Sequence, residues 1–241
     1  MRTGKLIKRS LLILLLLVII TVVMIYILAG RVPNTYRPKE LSFDERENAA
    51  TKFSGDFGEV TSNIRYKSCT FELTQEDANR YLASMDEIAN LKPDVKPGTI
   101  DKLMEKWGLR RPVVSMDADS VTLMVELVEY GKILSIDVAA EIKEEDILIS
   151  MTAARIGKLP VPVSKVKSMF LEMTGSMGKL KSNNMDDFSV SQIAGNLLLD
   201  FLQAINGQSM PRRFVHKGKS IWVDEFSMNE DKIVIKFTPE Q

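Results

Sequence analysis

The chain has 241 residues, 45% of them hydrophobic and 27% charged, and its 32 basic residues balance 32 acidic ones. This composition excludes intrinsic disorder as the main state and argues against a dedicated nucleic-acid binder, which usually carries a basic excess. The single cysteine, Cys69, and the single histidine, His216, exclude an intrachain disulfide framework and metal sites built from several cysteines or histidines.

The first thirty residues predict a membrane anchor. Four cations within residues 1–10 precede an uncharged run from Leu11 to Ala29. As a helix rising about 1.5 Å per residue, this run can cross a hydrocarbon core of about 30 Å, and it is longer than most signal-peptide cores, at about 7–15 residues. Arg31 stands where a lipoprotein signal needs cysteine. The alternatives are a cleaved signal peptide with an unusual core and a buried core helix; nineteen uncharged residues behind four cations argue against the second.

The cations fix the expected orientation, because basic residues before a first span stay cytoplasmic. We therefore expect a single-pass protein of the cell membrane, with a cytoplasmic stub (1–10), an uncleaved transmembrane signal anchor (11–30), a proline-stiffened linker (31–41) and one extracytoplasmic domain (42–241). Beyond the stub the chain carries 28 basic and 32 acidic residues, a net charge of −4.

The first part of the domain alternates between helical and strand patterns. We predict a helix from about 42 to 64, a strand over 68–73, a helix over 74–89 capped by Thr74, and a loop over 91–112 that contains a short helix at 100–107.

The centre of the chain predicts an antiparallel meander. Four runs alternate between apolar and polar residues, at 113–117, 121–130, 133–143 and 147–156, and short polar breaks of hairpin size separate them. Two prolines, Pro160 and Pro162, end the meander. Ser164 is a candidate cap for the next helix, and 189–205 has a wide apolar stripe of helical period. A hairpin of 221–228 and 233–237 closes the chain.

The predicted fold class is α+β: an N-terminal transmembrane helix and one extracytoplasmic domain. In that domain a long-stranded antiparallel meander sheet packs on, or curls around, amphipathic helices.

No motif in the sequence supports catalysis. The run Gly175 to Lys179 lacks the spacing of a phosphate-binding loop or a nucleophile elbow, and a helix end is the better interpretation. The acidic pairs around Asp117 and Glu144 are typical of hairpin turns, and Asp117 lacks the rest of a calcium loop. His216 has no nucleophile or carboxylate partner that the sequence can assign. We expect no enzyme activity, no cofactor, no metal and no nucleic-acid partner.

An apolar sheet face and a helix stripe must cover each other or enclose a ligand. The candidate apolar lining is Leu123, Val125, Leu127, Leu134, Ile136, Val138, Ile149, Met151, Leu198, Phe201 and Leu202. A weaker candidate, for contact with anionic membrane surfaces, is the basic patch of Arg212, Arg213, Lys217 and Lys219.

Two short motifs suggest a family. Residues 73–82 read LTQEDANRYL, and residues 157–162 read GKLPVP. With the order of predicted elements, they make residues 10–180 similar to the YpmS-like family of membrane-anchored extracytoplasmic bacterial proteins. The resemblance implies a tubular fold like that of lipid-binding envelope proteins, in which a curved sheet wraps a long helix. It carries over no catalytic residues.

Two functions follow as expectations. The first is a membrane-tethered, non-catalytic domain with a cell-envelope role that binds lipid or another amphiphile in an apolar groove or tunnel. The alternative is a membrane-anchored protein-interaction or assembly module of the envelope with a filled core. Periodicity cannot separate them, because both use the same inward-facing residues.

Overall fold

The structure is a computed structural model that describes the backbone of residues 2–91, 96–169 and 209–240, and side chains in those ranges from residue 14 onward. The fold is α+β with two antiparallel sheets, as the sequence predicts. The predicted helix over 189–205 and the predicted helix end at Gly175 to Lys179 lie outside the described residues.

Helices precede and follow the first strand along the chain. Their bounds are α1 Arg2–Gly30, α2 Phe43–Asn63, α3 Gln75–Ala83, α4 Met85–Asn90, α5 Thr99–Lys106 and α6, helical over 163–169. Ser42 starts α2 through a capping box with Glu45, since its hydroxyl accepts from the Glu45 N–H and its own N–H donates to the Glu45 carboxylate. Thr74 caps α3 as predicted.

The strands are β1 Cys69–Thr74, β2 Leu109–Asp117, β3 Ser120–Leu127, β4 Lys132–Lys143, β5 Asp146–Ile156, β6 Leu159–Pro160, β7 Met210–Pro211, β8 Arg213–His216, β9 Lys219–Met228 and β10 Lys232–Pro239. The meander sheet has the order β2-β3-β4-β5-β6, with β7 also paired to β5, and the four-stranded sheet has the order β1-β10-β9-β8.

The register of the meander sheet separates an apolar face from a polar face. Leu123 pairs with Ile136, Val125 with Leu134, and Val138 with Met151. Because paired residues point to the same side of a sheet, these side chains form one apolar face. Thr122, Ser135 and Arg155 share the opposite, polar face through the pairs Thr122 with Asp137 and Ser135 with Arg155.

The apolar face forms the main core. Leu134, Ile136 and Val138 are each only 2% exposed, and Val223 of β9 joins their cluster. Val166 of α6 packs against them as well. A second cluster lies where α2 meets α3 and α4, with Ala49, Ala50, Tyr81 and Ile88 buried together.

Three predicted elements differ from the structure. The helix predicted over 74–89 divides at Ser84, a fully buried residue outside the helical region, which lets Ile88 of α4 turn toward α2. β2 begins at Leu109 rather than at 113, because a bulge between Arg110 and Val113 accommodates Pro112. Helix α6 begins at 163, before its predicted cap Ser164.

The basic stretch 212–219 lies mainly in a hairpin. β8 pairs with β9 across Lys217 and Gly218, both with positive φ, as a tight two-residue hairpin turn requires. In the part of α1 with described side chains, and in the other described helices, no segment is both long and apolar enough to cross a membrane. The transmembrane anchor therefore stays a prediction.

Candidate functional site

The structure places eight of the eleven candidate lining residues on the apolar face. They are Leu123, Val125 and Leu127 of β3, Leu134, Ile136 and Val138 of β4, and Ile149 and Met151 of β5. Leu198, Phe201 and Leu202 lie outside the described residues. The sequence therefore identified one continuous surface on three neighbouring strands.

Burial changes across this face. The β4 residues Leu134, Ile136 and Val138 are almost inaccessible, whereas Leu123 and Val125 of β3 are only half-buried. Leu127 at the end of β3 is half-buried too. The β3 side is thus the part of the apolar face where an apolar ligand would find accessible surface.

The polar face carries a cleft that sequence analysis did not predict. Its volume is about 470 Å³, within the range of small-molecule sites. Residues 33–35, just after α1, form one wall, and strands β2 to β5 form the floor. The lining residues are Pro33, Asn34, Thr35, Ser115, Asp117, Thr122, Met124, Ser135, Arg155, Gly157 and Lys158.

A hydrogen-bonded group on the cleft floor fixes Arg155. Its Nη2 donates to Asp137 Oδ1 at 2.6 Å, and the Thr122 hydroxyl donates to the same oxygen at 2.9 Å. The guanidinium has five N–H donors in a rigid fork, so one bond to Asp137 holds it while leaving further donors. Arg155 is thus oriented before any ligand arrives.

The C-terminal end of α1 docks at the edge of this cleft. The Lys158 N–H donates to the Leu28 carbonyl at 2.9 Å, and the Gly157 N–H donates to Ile133 at 2.7 Å. A Cβ on Gly157 would lie 2.6–2.7 Å from the carbonyl oxygens of Leu28, Ala29 and Arg31. Only glycine fits this approach, which explains the first residue of the GKLPVP motif.

Cations surround the end of α1. Lys132 Nζ lies 4.8 Å from the centre of the Tyr26 ring, and Lys158 is exposed beside the docked carbonyls. Positive side chains at this end complement the negative end of the helix dipole. Lys158 of the cleft therefore places a positive charge next to the end of α1.

The basic patch divides into two parts with different roles. The Arg212 guanidinium donates to the carbonyls of Glu144, Val223 and Asp224, so it joins the four-stranded sheet to the β4–β5 turn. Arg213 pairs with Glu240. Lys217 and Lys219 are exposed at the β8–β9 turn.

His216 and Cys69 lie in environments that favour their neutral forms. His216 is 5% exposed, and its pKa is lowered by burial and by the charges of Lys217 and Arg65. Burial raises the pKa of the Cys69 thiol. Tyr81, whose hydroxyl donates to Asp56 at 2.9 Å, has its pKa raised by burial and by that carboxylate.

The cleft was missed because its residues come from distant parts of the sequence. Thr122, Ser135 and Arg155 occupy the polar positions of their strands, and such positions are usually solvent-exposed. The available indication was Ser135, a small uncharged residue near the start of the longest predicted strand, 133–143. The linker forms a wall only because it folds back onto the sheet.

Comparison with known proteins gives no relative: no protein-family model, no curated protein and no solved structure matches the chain. The similarity to the YpmS-like family thus stays a prediction from two short motifs.

Proposed function

We propose that this chain is a single-pass, membrane-anchored, extracytoplasmic domain of the cell envelope that binds lipid or another amphiphile on the apolar face and performs no catalysis. The observation that carries the proposal is the apolar face itself. It extends over three long strands, and its side chains on β3 are only half-buried. Apolar area of this kind favours an acyl chain over water by about 25 cal/mol per Å² buried.

The character of α1 supports the anchor. Every described side chain from Leu14 to Ile27 is exposed, and these residues are almost all apolar. A helix that is apolar on all sides needs an apolar environment, either a protein core or a bilayer. Only at Leu28 and Ala29, where α1 meets the sheet, do the side chains become half-buried. We therefore place residues 11–30 in the membrane and the sheets outside it.

The alternative is an interaction or assembly module of the envelope. It is favoured by the edge strand β8, where Phe214 is 36% and Val215 62% exposed. An exposed edge strand with apolar side chains can pair with a strand of a partner. This function would not require any access to the apolar face.

Photo-cross-linking tests the amphiphile site. The full chain in maltoside detergent is irradiated with a long-chain alcohol that carries a diazirine, and the modified peptide is identified. We expect modification within 123–127 and a clear loss in Val125→Asn. Val128→Asn, an exposed valine in the following turn, is the control that keeps the signal. Equal labelling of both variants and wild type would contradict the site.

Thiol labelling tests the anchor and its orientation. Tyr66 is 77% exposed, so Tyr66→Cys in a Cys69→Ser chain provides one accessible thiol. We expect an impermeant maleimide to label it in intact cells and the protein to stay in alkali-washed membranes. Protection of the thiol until the cells are lysed would contradict the proposed orientation.

A further inference from the structure

We propose that the polar cleft beside the end of α1 binds a phosphate-bearing group. The cleft lies on the polar face of the meander sheet, whereas the proposed amphiphile site lies on the apolar face. The sheet therefore separates the two sites. The phosphate can belong to a lipid headgroup or to a soluble phosphate ester. Only the lipid source rests on the proposed membrane anchoring.

The position of the cleft limits what can enter it. Its wall, residues 33–35, follows α1 directly, and Gly157 and Lys158 of its rim touch the last turn of α1. If α1 spans a bilayer, the cleft opens within a few residues of the headgroup layer. Hydroxyls, an amide, a carboxylate and two cations are among its lining residues, so the cleft offers hydrogen-bonding partners to a headgroup.

The charges favour an anion at the β5 side. Arg155 and Lys158 both line the cleft there. One carboxylate, Asp137, bonds to Arg155 and holds it in place. Asp117 belongs to β2, three strand spacings from β5, which is about 14 Å at about 4.8 Å per spacing. Its repulsion is therefore weak where a phosphate would bind.

The Ser135 hydroxyl on the cleft floor completes the donor set. Ser135 is 2% exposed, and its hydroxyl has no hydrogen-bond partner within the described ranges. Buried hydroxyls in folded proteins are nearly always hydrogen-bonded. The Thr122 hydroxyl already donates its hydrogen to Asp137, and Ser115 lies on β2, as distant from β5 as Asp117 is. An oxyanion with several acceptor oxygens matches Arg, Lys and hydroxyl donors arranged in this way.

The experiment uses the full chain in maltoside detergent, which contains no phosphate. Three probes are compared by native mass spectrometry: glycerol 3-phosphate, phosphatidylglycerol and diacylglycerol. The test variants are Arg155→Gln and the exposed Lys158→Gln. The matched control is Arg110→Gln, because Arg110 forms the same 2.6 Å ion pair with Glu126 on the polar face but lies outside the cleft.

We expect a phosphate-bearing probe to bind and each test variant to weaken its binding about tenfold, as for loss of one charge-assisted hydrogen bond. Arg110→Gln should bind as wild type does. If glycerol 3-phosphate binds, a soluble phosphate ester is sufficient for binding. If phosphatidylglycerol binds and glycerol 3-phosphate does not, the ligand is a lipid headgroup. Lys158→Gln leaves the Asp137 ion pair intact, so its effect does not depend on whether Arg155→Gln folds.

Three results would overturn the inference. They are failure of both phosphate probes to bind, equal losses in Arg110→Gln and in the cleft variants, or binding of diacylglycerol that depends on Arg155 and Lys158. The uncharged diazirine alcohol used for the apolar face has no phosphate, so failure at one site is distinguishable from failure at the other.

Discussion

The side-chain amide of Asn79 takes the place of a neighbouring strand for Val114. Its Oδ1 accepts from the Val114 N–H at 2.8 Å, and its Nδ2 donates to the Val114 carbonyl at 2.8 Å. On the same helix, Gln75 Oε1 accepts from the Met116 N–H at 2.6 Å. Helix α3 thus closes the outer edge of β2, which would otherwise present unpaired backbone groups. This gives the LTQEDANRYL motif a structural role.

We expect Asn79→Ala to lower the free energy of unfolding by about 2–4 kcal/mol, because two buried backbone groups lose their partners. Denaturation of the full chain in detergent, followed by the fluorescence of Trp107 and Trp222, measures the change. The control is Asn48→Ala on the exposed side of α2, expected within about 0.5 kcal/mol of wild type. Equal stability of the two variants would show that α3 does not close the edge.

Gly157 determines how closely α1 approaches the meander sheet. Gly157→Ala places a methyl group against three carbonyl oxygens, at a residue with φ of +60°. We expect α1 to separate from the sheet and the Lys158 amide to exchange faster with deuterium, because its bond to Leu28 is lost. Native-state hydrogen exchange measures this rate.

Gly131→Ala is the matched control for the backbone effect. Gly131 has φ of +55°, but no atom lies within 4 Å of its added Cβ. Both variants carry the strain of a left-handed alanine, about 1–2 kcal/mol. Faster exchange at Lys158 in both variants alike would contradict the docking of α1 on Gly157.

Arg212 is expected to act as a structural residue. Arg212→Lys cannot reach three carbonyls at once, so we expect a loss of about 1–3 kcal/mol in unfolding free energy. Lys217→Gln, at the exposed turn, should change stability by less than about 0.5 kcal/mol. Thermal or chemical unfolding checks both. An unfolding free energy of Arg212→Lys equal to that of wild type would contradict the structural role of Arg212.

The lowered pKa of His216 predicts a loss of stability in mild acid. Folding favours the neutral imidazole, so its contribution is complete above the unfolded value of about 6.5 and is lost as pH falls toward the folded pKa. Because His216 is the chain's one histidine, its imidazole resonance can be titrated by NMR without assignment. A midpoint at or above 6.5 would contradict the buried environment beside Arg65 and Lys217.

The local part of the fold could be predicted from the sequence. Alternation in β3 and β4, and in β5 as far as Met151, indicated which side chains share the apolar face. Thr74 with Asp77 marked the start of α3. These features depend on residues within a few positions of each other. The hairpin of β9 and β10 was predicted for the same reason.

The remaining features depend on contacts between distant segments. The pairing of β1 with β10 brings Cys69 opposite Phe237, and nothing near either residue specifies that partner. The strand β8 was not predicted, because its cations were interpreted only as part of a basic patch for membrane contact. The polar cleft requires residues 33–35 to fold over Ser135 and Arg155, which alternation along single strands does not indicate.

The central claim, amphiphile binding by a membrane-anchored domain, is tested most directly by native mass spectrometry of the full chain. The protein is released from host membranes in mild detergent and measured before and after delipidation. We predict an added mass that matches a lipid, is removed by delipidation, returns when lipid is supplied and is reduced in Val125→Asn but not in Val128→Asn. A mass equal to that of the bare chain throughout, with no uptake of supplied lipid, would contradict the claim and favour an assembly module.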